Sequence, residues 1–189
     1  MTDRTSEDRV VLVDANDLQI GLAEKQAVHE DGRLHRAISV QIFDVAGRLL
    51  LQRRNRQKYH SGGLWTNTCC SHPRPDETPH AAAERRLFEE MGIRTALRHL
   101  FSTTYRAVVG DGLIEHELVH VFGGRYDGAV RPDPAEVEAF KWILPEDLRK
   151  SLECEPQKYS QWFQIYLRDH WDEMAVMPVS LDNAQISER

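Results

Sequence analysis

Cysteine is scarce in this 189-residue chain: there are three, an odd number, and no secretory leader is recognisable ahead of them. A disulfide scaffold is therefore not expected, and the thiols point to a reducing, cytoplasmic setting. Long hydrophobic runs are missing too. The longest purely apolar stretches are about four or five residues, against the roughly twenty that a membrane helix needs, so no membrane association is expected. Basic residues are not in surplus either. Against 30 Asp and Glu stand 24 Lys and Arg, a formal net charge of −6, which argues against general nucleic-acid binding because no cationic excess exists to displace counterions.

What is present suits a single globule. Hydrophobic residues make up 41%, slightly below the usual share and far above a disordered composition, and there is no internal repeat or linker. Residues 1–9 read as a flexible lead-in, 10–177 as one domain and 178–189 as a surface tail. Val10 to Val13 and Leu18 to Leu22 pattern as a hairpin, and Glu24 to His35 as a loop holding two histidines. Arg36 to Phe43 and Arg48 to Arg54 pattern as paired strands, the second buried on both faces.

A basic loop from Asn55 to Gly63 follows, in keeping with an anionic ligand or a solvated turn. Thr78-Pro79 and Gly92 bracket a helix whose core stripe is Ala83, Leu87 and Met91. Strands are predicted over Arg98 to Val108, Leu113 to Phe122 and Val137 to Ile143. A short helix opens at Pro145, and an amphipathic one runs from Gln157 to Trp171. The sum is an α+β fold, an α/β/α sandwich around a mixed, largely antiparallel sheet.

The densest chemistry lies in Leu64-Trp65-Thr66-Asn67-Thr68-Cys69-Cys70-Ser71-His72. Two thiols beside an imidazole suit a zinc site, a redox pair or a nucleophile with its base. On an extended strand Cys69 and Cys70 face opposite ways, so one packs while the other is free to act. Glu115 and Glu117, two apart on a predicted strand, put both carboxylates on one face and His116 on the other.

Downstream, Ser71, Glu77, Arg85, Arg86, Leu87, Glu89, Glu90, Gly92 and Ile93 resemble the Nudix box, G-x5-E-x7-R-E-U-x-E-E-x-G-U with U apolar. Ser71 stands where the box has Gly, and Arg86 where it has Glu, which removes a carboxylate that hydrolases of this type use. The flanking segments, Trp65-Thr66-Asn67 through Cys70-Ser71-His72-Pro73, His29 and His35, Tyr105-Arg106-Ala107, Glu115-His116-Glu117 and Tyr159-Ser160-Gln161-Trp162, are similar to those of the type I isopentenyl diphosphate isomerase family from about Val10 to Trp171.

That resemblance implies a Nudix-like fold and the interconversion of isopentenyl and dimethylallyl diphosphate. It implies Cys70 and Glu117 as catalytic residues with Tyr105 in their network, and Lys25, Arg54, Lys58, Ser71 and Arg86 as diphosphate contacts, with Trp162 over the reacting carbons. His29, His35, His72, Glu115 and Glu117 would ligate one cation, manganese, zinc or magnesium. Glu90 and the Cys70 carbonyl would hold a magnesium ion shared with the substrate diphosphate. The expected partner is a small isoprenyl diphosphate, and the expected state a monomer or weak homodimer. His60, His80, His99, His116, His120 and His170 match no role and are expected at the surface or satisfied. Trp65 and Asn67 belong to the motif without an individual role legible in the sequence. A pyrophosphohydrolase, or a non-catalytic module stabilised by metal at His29, His35 and His72, are the alternatives.

Overall fold

The computed structural model describes residues 9–110 and 112–174. The stretch before Arg9 and the tail from 178 lie outside them. The described residues form a nine-stranded mixed sheet. Its strands are β1 Arg9–Val13, β2 Gln19–Glu24, β3 His35–Phe43, β4 Leu49–Arg54, β5 Trp65–Thr66, β6 Cys69–Ser71, β7 Arg98–Gly110, β8 Leu113–Arg125 and β9 Val137–Ile143. The helices are α1 Lys25–Asp31, α2 Pro79–Met91, α3 Pro145–Cys154 and α4 Gln161–Asp169.

β3 is the axis. It pairs in parallel with β8 along its length, from His35 opposite Glu117 to Phe43 opposite Arg125. On its other edge β6 runs antiparallel, with Ser39 opposite Cys70 and Val40 opposite Cys69. The β1–β2 and β7–β8 hairpins are antiparallel, as are the pairings of β4 with β3, β5 and β9.

Alternation along β3 and β4 sends side chains to two cores. Ile38, Val40, Ile42, Leu50 and Cys69 meet Ala82, Ala83, Leu87 and Met91 of α2. Ala37, Phe43, Leu49 and Leu51, with Val119 and Val121 of β8, meet Trp162, Phe163 and Tyr166 of α4. The sheet is thus buried on both faces, as a sandwich requires. α2 starts and stops where the sequence says. The Thr78 hydroxyl accepts from the Ala81 amide at 3.2 Å, Pro79 occupies the first turn, and Gly92 closes the helix in the left-handed region at φ 67°. A Cβ at Gly92 would also lie 2.6 Å from the Arg131 carbonyl oxygen.

Two segments differ from expectation. Residues 25–31, expected as loop, form a helix that Gly32 ends at φ 65°. Only Val28 and His29 of it are buried, so no apolar stripe announces it, and a Gln26 to Glu30 hydrogen bond of 2.8 Å supports its exposed side. The aromatic helix expected over 157–171 is shorter. Pro156–Lys158 make a 3-10 turn, Tyr159 is extended and bridges to Trp65, and α4 begins only at Gln161.

Candidate active site

Strand parity assembles the site. The face of β8 that sends Val119 and Val121 to the α4 core carries Glu117 and Glu115 at its other end. Both are buried, at 6% and 5% exposure. β3 opens with His35 opposite Glu117, and Cys70 sits beside Ser39 on the same face. Cys69 turns the other way and is fully buried against α2. From outside the sheet, α1 brings Lys25 and His29, one helical turn apart, and the loop after β6 brings His72.

The imidazoles are set as ligands. His29 Nδ1–H donates to the Lys25 carbonyl at 2.7 Å and His35 Nδ1–H to the Arg33 carbonyl at 2.9 Å. A carbonyl only accepts, so Nδ1 carries a proton in both rings and Nε2 is the nitrogen that each turns toward the cluster, the arrangement a metal-ligating histidine needs. His35 Nε2 lies 3.2 Å from His72 Nε2, which is 3.0 Å from Glu117 Oε1. One ligand atom from each of His29, His35, His72 and Glu117 falls within 4.8 Å of all the others. Burial pushes the His72 pKa down to about 3, keeping the ring in the neutral form that binds cations. The donor set of three imidazoles and a carboxylate fits a divalent cation.

Glu115 belongs to a neighbouring set, with His29 and His60. His60 was expected at the surface or satisfied. It is buried and satisfied, with Nε2 3.4 Å from Glu115 Oε1 and Nδ1 3.2 Å from the Ser61 hydroxyl, and it lines the pocket. The loop that delivers it is tightly wound. Ser61 adopts φ 53°, and a Cβ on Gly62 would approach the Arg56 carbonyl oxygen to 2.6 Å. Only the Gly62-Gly63 pair hints at this in the sequence. Tyr59, on the same loop, also lines the pocket.

The two carboxyls are pushed in opposite directions. Burial resists ionisation of Glu117, but the imidazoles of His35 and His72 outweigh it and hold the carboxyl well below its usual range. Burial and the neighbouring Glu117 charge push Glu115 well above it. Tyr105 Oη lies 2.8 Å from an oxygen of each. A phenol has one proton to give, so Tyr105 can donate fully to only one of the two carboxyls at a time and links them through a single oxygen.

On the opposite wall Lys25, Arg54, Lys58, Arg86 and Ser71 line the same pocket. Burial and the charges of Arg54 and Lys58 lower the Lys25 pKa to about 8, the mark of cations gathered around a place meant for an anion. Arg54 Nε is buried without a hydrogen-bond partner among the described residues. Arg86 is paired with Glu89 and Glu90 at 2.7 Å each, and Glu136 bonds Lys58. Glu90 is thereby occupied, one oxygen by Arg86 and the other by Gln52 at 2.9 Å. Trp162 lies across the pocket, 2% exposed, with the Arg54 guanidinium 5.3 Å from its ring. Burial raises the Cys70 thiol to about 12, so in this pocket the sulfur carries its proton.

A NUDIX domain model matches residues 33–163, most of the chain. An isopentenyl-diphosphate Delta-isomerase of Burkholderia multivorans is 50% identical over 173 residues, covering 92% of this chain and 96% of the relative. The chain belongs to the isopentenyl-diphosphate Delta-isomerase family of Nudix proteins. A second isomerase of the family, from Pectobacterium atrosepticum, is 48% identical over 86% of this chain and 92% of its own. The fold is found more widely: a crystal structure from Deinococcus radiodurans superposes with a TM-score of 0.71 at 19% identity over 85% of this chain and 97% of its own. In this Delta-isomerase-family chain the Nudix box helix is α2. The acidic side chains at the box's signature positions are each paired with arginine, Glu77 with Arg85 at 2.7 Å through both oxygens, and Glu89 and Glu90 with Arg86.

Proposed function

We propose that this chain interconverts isopentenyl diphosphate and dimethylallyl diphosphate by a 1,3-proton shift. The observation that carries the reading is the convergence, in one pocket, of a thiol, a carboxylate–phenol pair, an indole and four cationic side chains, in a chain half identical to isomerases along nearly its full length. A proton must be added to the terminal alkene carbon, leaving a tertiary carbocation, and another removed from the carbon on the far side of the charge. The reaction therefore needs two proton-carrying groups and a water-poor space between them.

Glu117 and Cys70 take those two roles, exchanging acid and base with direction. Tyr105 stands behind Glu117 and links it to Glu115 through 2.8 Å contacts, a path along which a proton can be relayed. The Trp162 face adds a cation–π contact of about 0.5–2 kcal/mol, small beside the roughly 8 kcal/mol or more that enzymes remove from barriers. The larger share falls to the fixed negative charge of Glu117 in a dry site. Lys25, Arg54, Lys58, Arg86 and Ser71 grip the diphosphate, and so hold the alkene between its two proton carriers.

His29, His35, His72 and Glu117, with Glu115 beside them, would hold one divalent cation, zinc, manganese or magnesium. When bound, it supplies positive charge that keeps Glu117 ionised and fixed. Glu90 and the Cys70 carbonyl are the candidates for a magnesium ion arriving with substrate, for which Glu90 would exchange its Arg86 contact. The free thiols Cys69, Cys70 and Cys154 are in keeping with work in the cytoplasm, on a small-molecule substrate.

Incubation with isopentenyl diphosphate in heavy water tests the reading. Deuterated dimethylallyl diphosphate with no release of phosphate is expected. Phosphate or a monophosphate product would favour the pyrophosphohydrolase reading, against which stands the pairing of Arg86 with both Glu89 and Glu90.

A further inference from the structure

We propose that Asn67 is a positioning residue whose carboxamide sets the Cys70 sulfur against the Trp162 indole, and that the Ser160–Thr66 hydroxyl chain anchors it. The inference rests on the isomerase reading for its consequence in turnover, but not for its geometry. Asn67 is fully buried and does not line the pocket. Its oxygen Oδ1 accepts from three donors: the Cys70 thiol at 3.0 Å, the Thr66 hydroxyl at 2.9 Å and the Trp162 indole N–H at 3.3 Å. The two hydrogens of its Nδ2 are shared among three acceptors, the Cys69 carbonyl at 2.8 Å, the Ser39 hydroxyl at 3.0 Å and the Val40 carbonyl at 3.2 Å.

The orientation of the amide is not free. Two of the groups facing Nδ2 are carbonyls, which only accept, and the indole facing Oδ1 only donates, so exchanging O and N would break contacts on both sides. The thiol hydrogen is therefore aimed at Asn67 in the resting pocket, and one oxygen atom fixes both the sulfur and the indole.

The anchor behind it has a cost that points the same way. Ser160 stands at the N-cap of α4, where a serine hydroxyl ordinarily accepts from the first-turn amides. Here it makes no capping bond. Its hydroxyl donates instead to Thr66 at 2.9 Å, which passes the bond to Asn67, while the Ser160 amide donates to the Trp65 carbonyl at 2.9 Å. The start of α4, two residues before Trp162, is thereby tied to β5 and to the strand turn that carries Cys70. Without Asn67 the sulfur and the indole would belong to separate elements with no shared polar contact between them.

The test uses Asn67→Ala and Thr66→Val, with folding checked by circular dichroism. In the full chain, kcat for isopentenyl diphosphate is expected to fall by about 10²-fold in Asn67→Ala, the scale of a misplaced reacting group. Thr66→Val should lose less, and KM and inhibition by inorganic pyrophosphate should stay near wild type in both. Independently of turnover, iodoacetamide alkylation is followed in a Cys69→Ala, Cys154→Ala background whose only thiol is Cys70. Asn67→Ala should alkylate several-fold faster as the sulfur is released. A folded Asn67→Ala with wild-type kcat and alkylation rate overturns the proposal, as does an effect confined to KM. If Asn67→Ala does not fold, a Thr66→Val protein with unchanged kcat and alkylation overturns it equally. A wild-type chain that fails to isomerise contradicts the isomerase reading alone, because the alkylation result stands without substrate.

Discussion

Two adjacent cysteines divide the molecule between them. Cys69 and Cys70 are consecutive on β6, yet one is sealed among Ile38, Leu50 and the α2 side chains and the other borders the pocket with Glu117 and Trp162. The α2 face is apolar packing around Cys69, Leu50 and Leu87, and turns polar where the buried Gln52–Glu90 bond and Arg86 reach the pocket. The α4 face begins as packing, at Leu49, Leu51 and Phe163, and ends as chemistry, at His35, Cys70, Glu115 and Glu117. The difference shows that one sheet face can serve as both core and active site, and that position along the strand decides which. Because parity fixes the face, a one-residue slip in β6 or β8 would exchange the two worlds completely.

The comparison breaks most visibly at the chemical end of the α4 face. Glu117→Gln should lower kcat by about 10²–10⁴-fold, the range of a lost general acid–base group, and weaken divalent-cation binding in a metal titration, while inorganic pyrophosphate still binds. At the packing side the opposite split is expected. Leu87→Ala should cost about 2–5 kcal/mol of stability through the cavity it leaves, read by denaturant titration, with kcat per folded molecule near wild type.

Lys25 sharpens the boundary between stability and function. Its folded pKa, lowered by burial and by Arg54 and Lys58 to about 8, lies below its ordinary value of 10.5. The folded state therefore binds this proton more weakly than the unfolded chain. The stabilising contribution is present above pH 10.5 and is lost as pH falls through 8, where charging the buried amine costs folding energy. Lys25→Met should accordingly raise the melting temperature at pH 7, by about 2–4 °C per kcal/mol gained. Its KM for the diphosphate should rise as well. In the wild type, KM should climb above pH 8 as the amine discharges, and in Lys25→Met that limb of the pH profile should flatten.

Much of this was legible in the chain itself. Thr78, Pro79 and Gly92 bound α2 to the residue, and the i, i+2 spacing of Glu115 and Glu117 fixed their shared face, because caps and strand parity are local rules. The resemblance carried by the Trp65 to Pro73 segment and by the box named the family. What stayed hidden depends on nonlocal contacts. α1 buries only two side chains, so nothing in its pattern marks it as helix, although that helix is what aligns Lys25 with His29. His60 reaches Glu115 only because the loop at Ser61 and Gly62 folds back on Arg56. Tyr159 is extended, and so shortens α4, because it pairs with Trp65, nearly a hundred residues earlier in the chain. Asn67 has six partners drawn from β3, β6, β5 and α4, and no spacing rule could assemble them.

The most direct measurement is a side-by-side assay of Cys70→Ala and Cys69→Ala for conversion of isopentenyl to dimethylallyl diphosphate, each with its binding of inorganic pyrophosphate. Cys70→Ala is expected to bind pyrophosphate and isomerise almost nothing. Cys69→Ala is expected to turn over near the wild-type rate with a destabilisation of about 1 kcal/mol. Near-normal turnover in Cys70→Ala, or loss of turnover in a stable Cys69→Ala, would contradict the division of labour between the two faces.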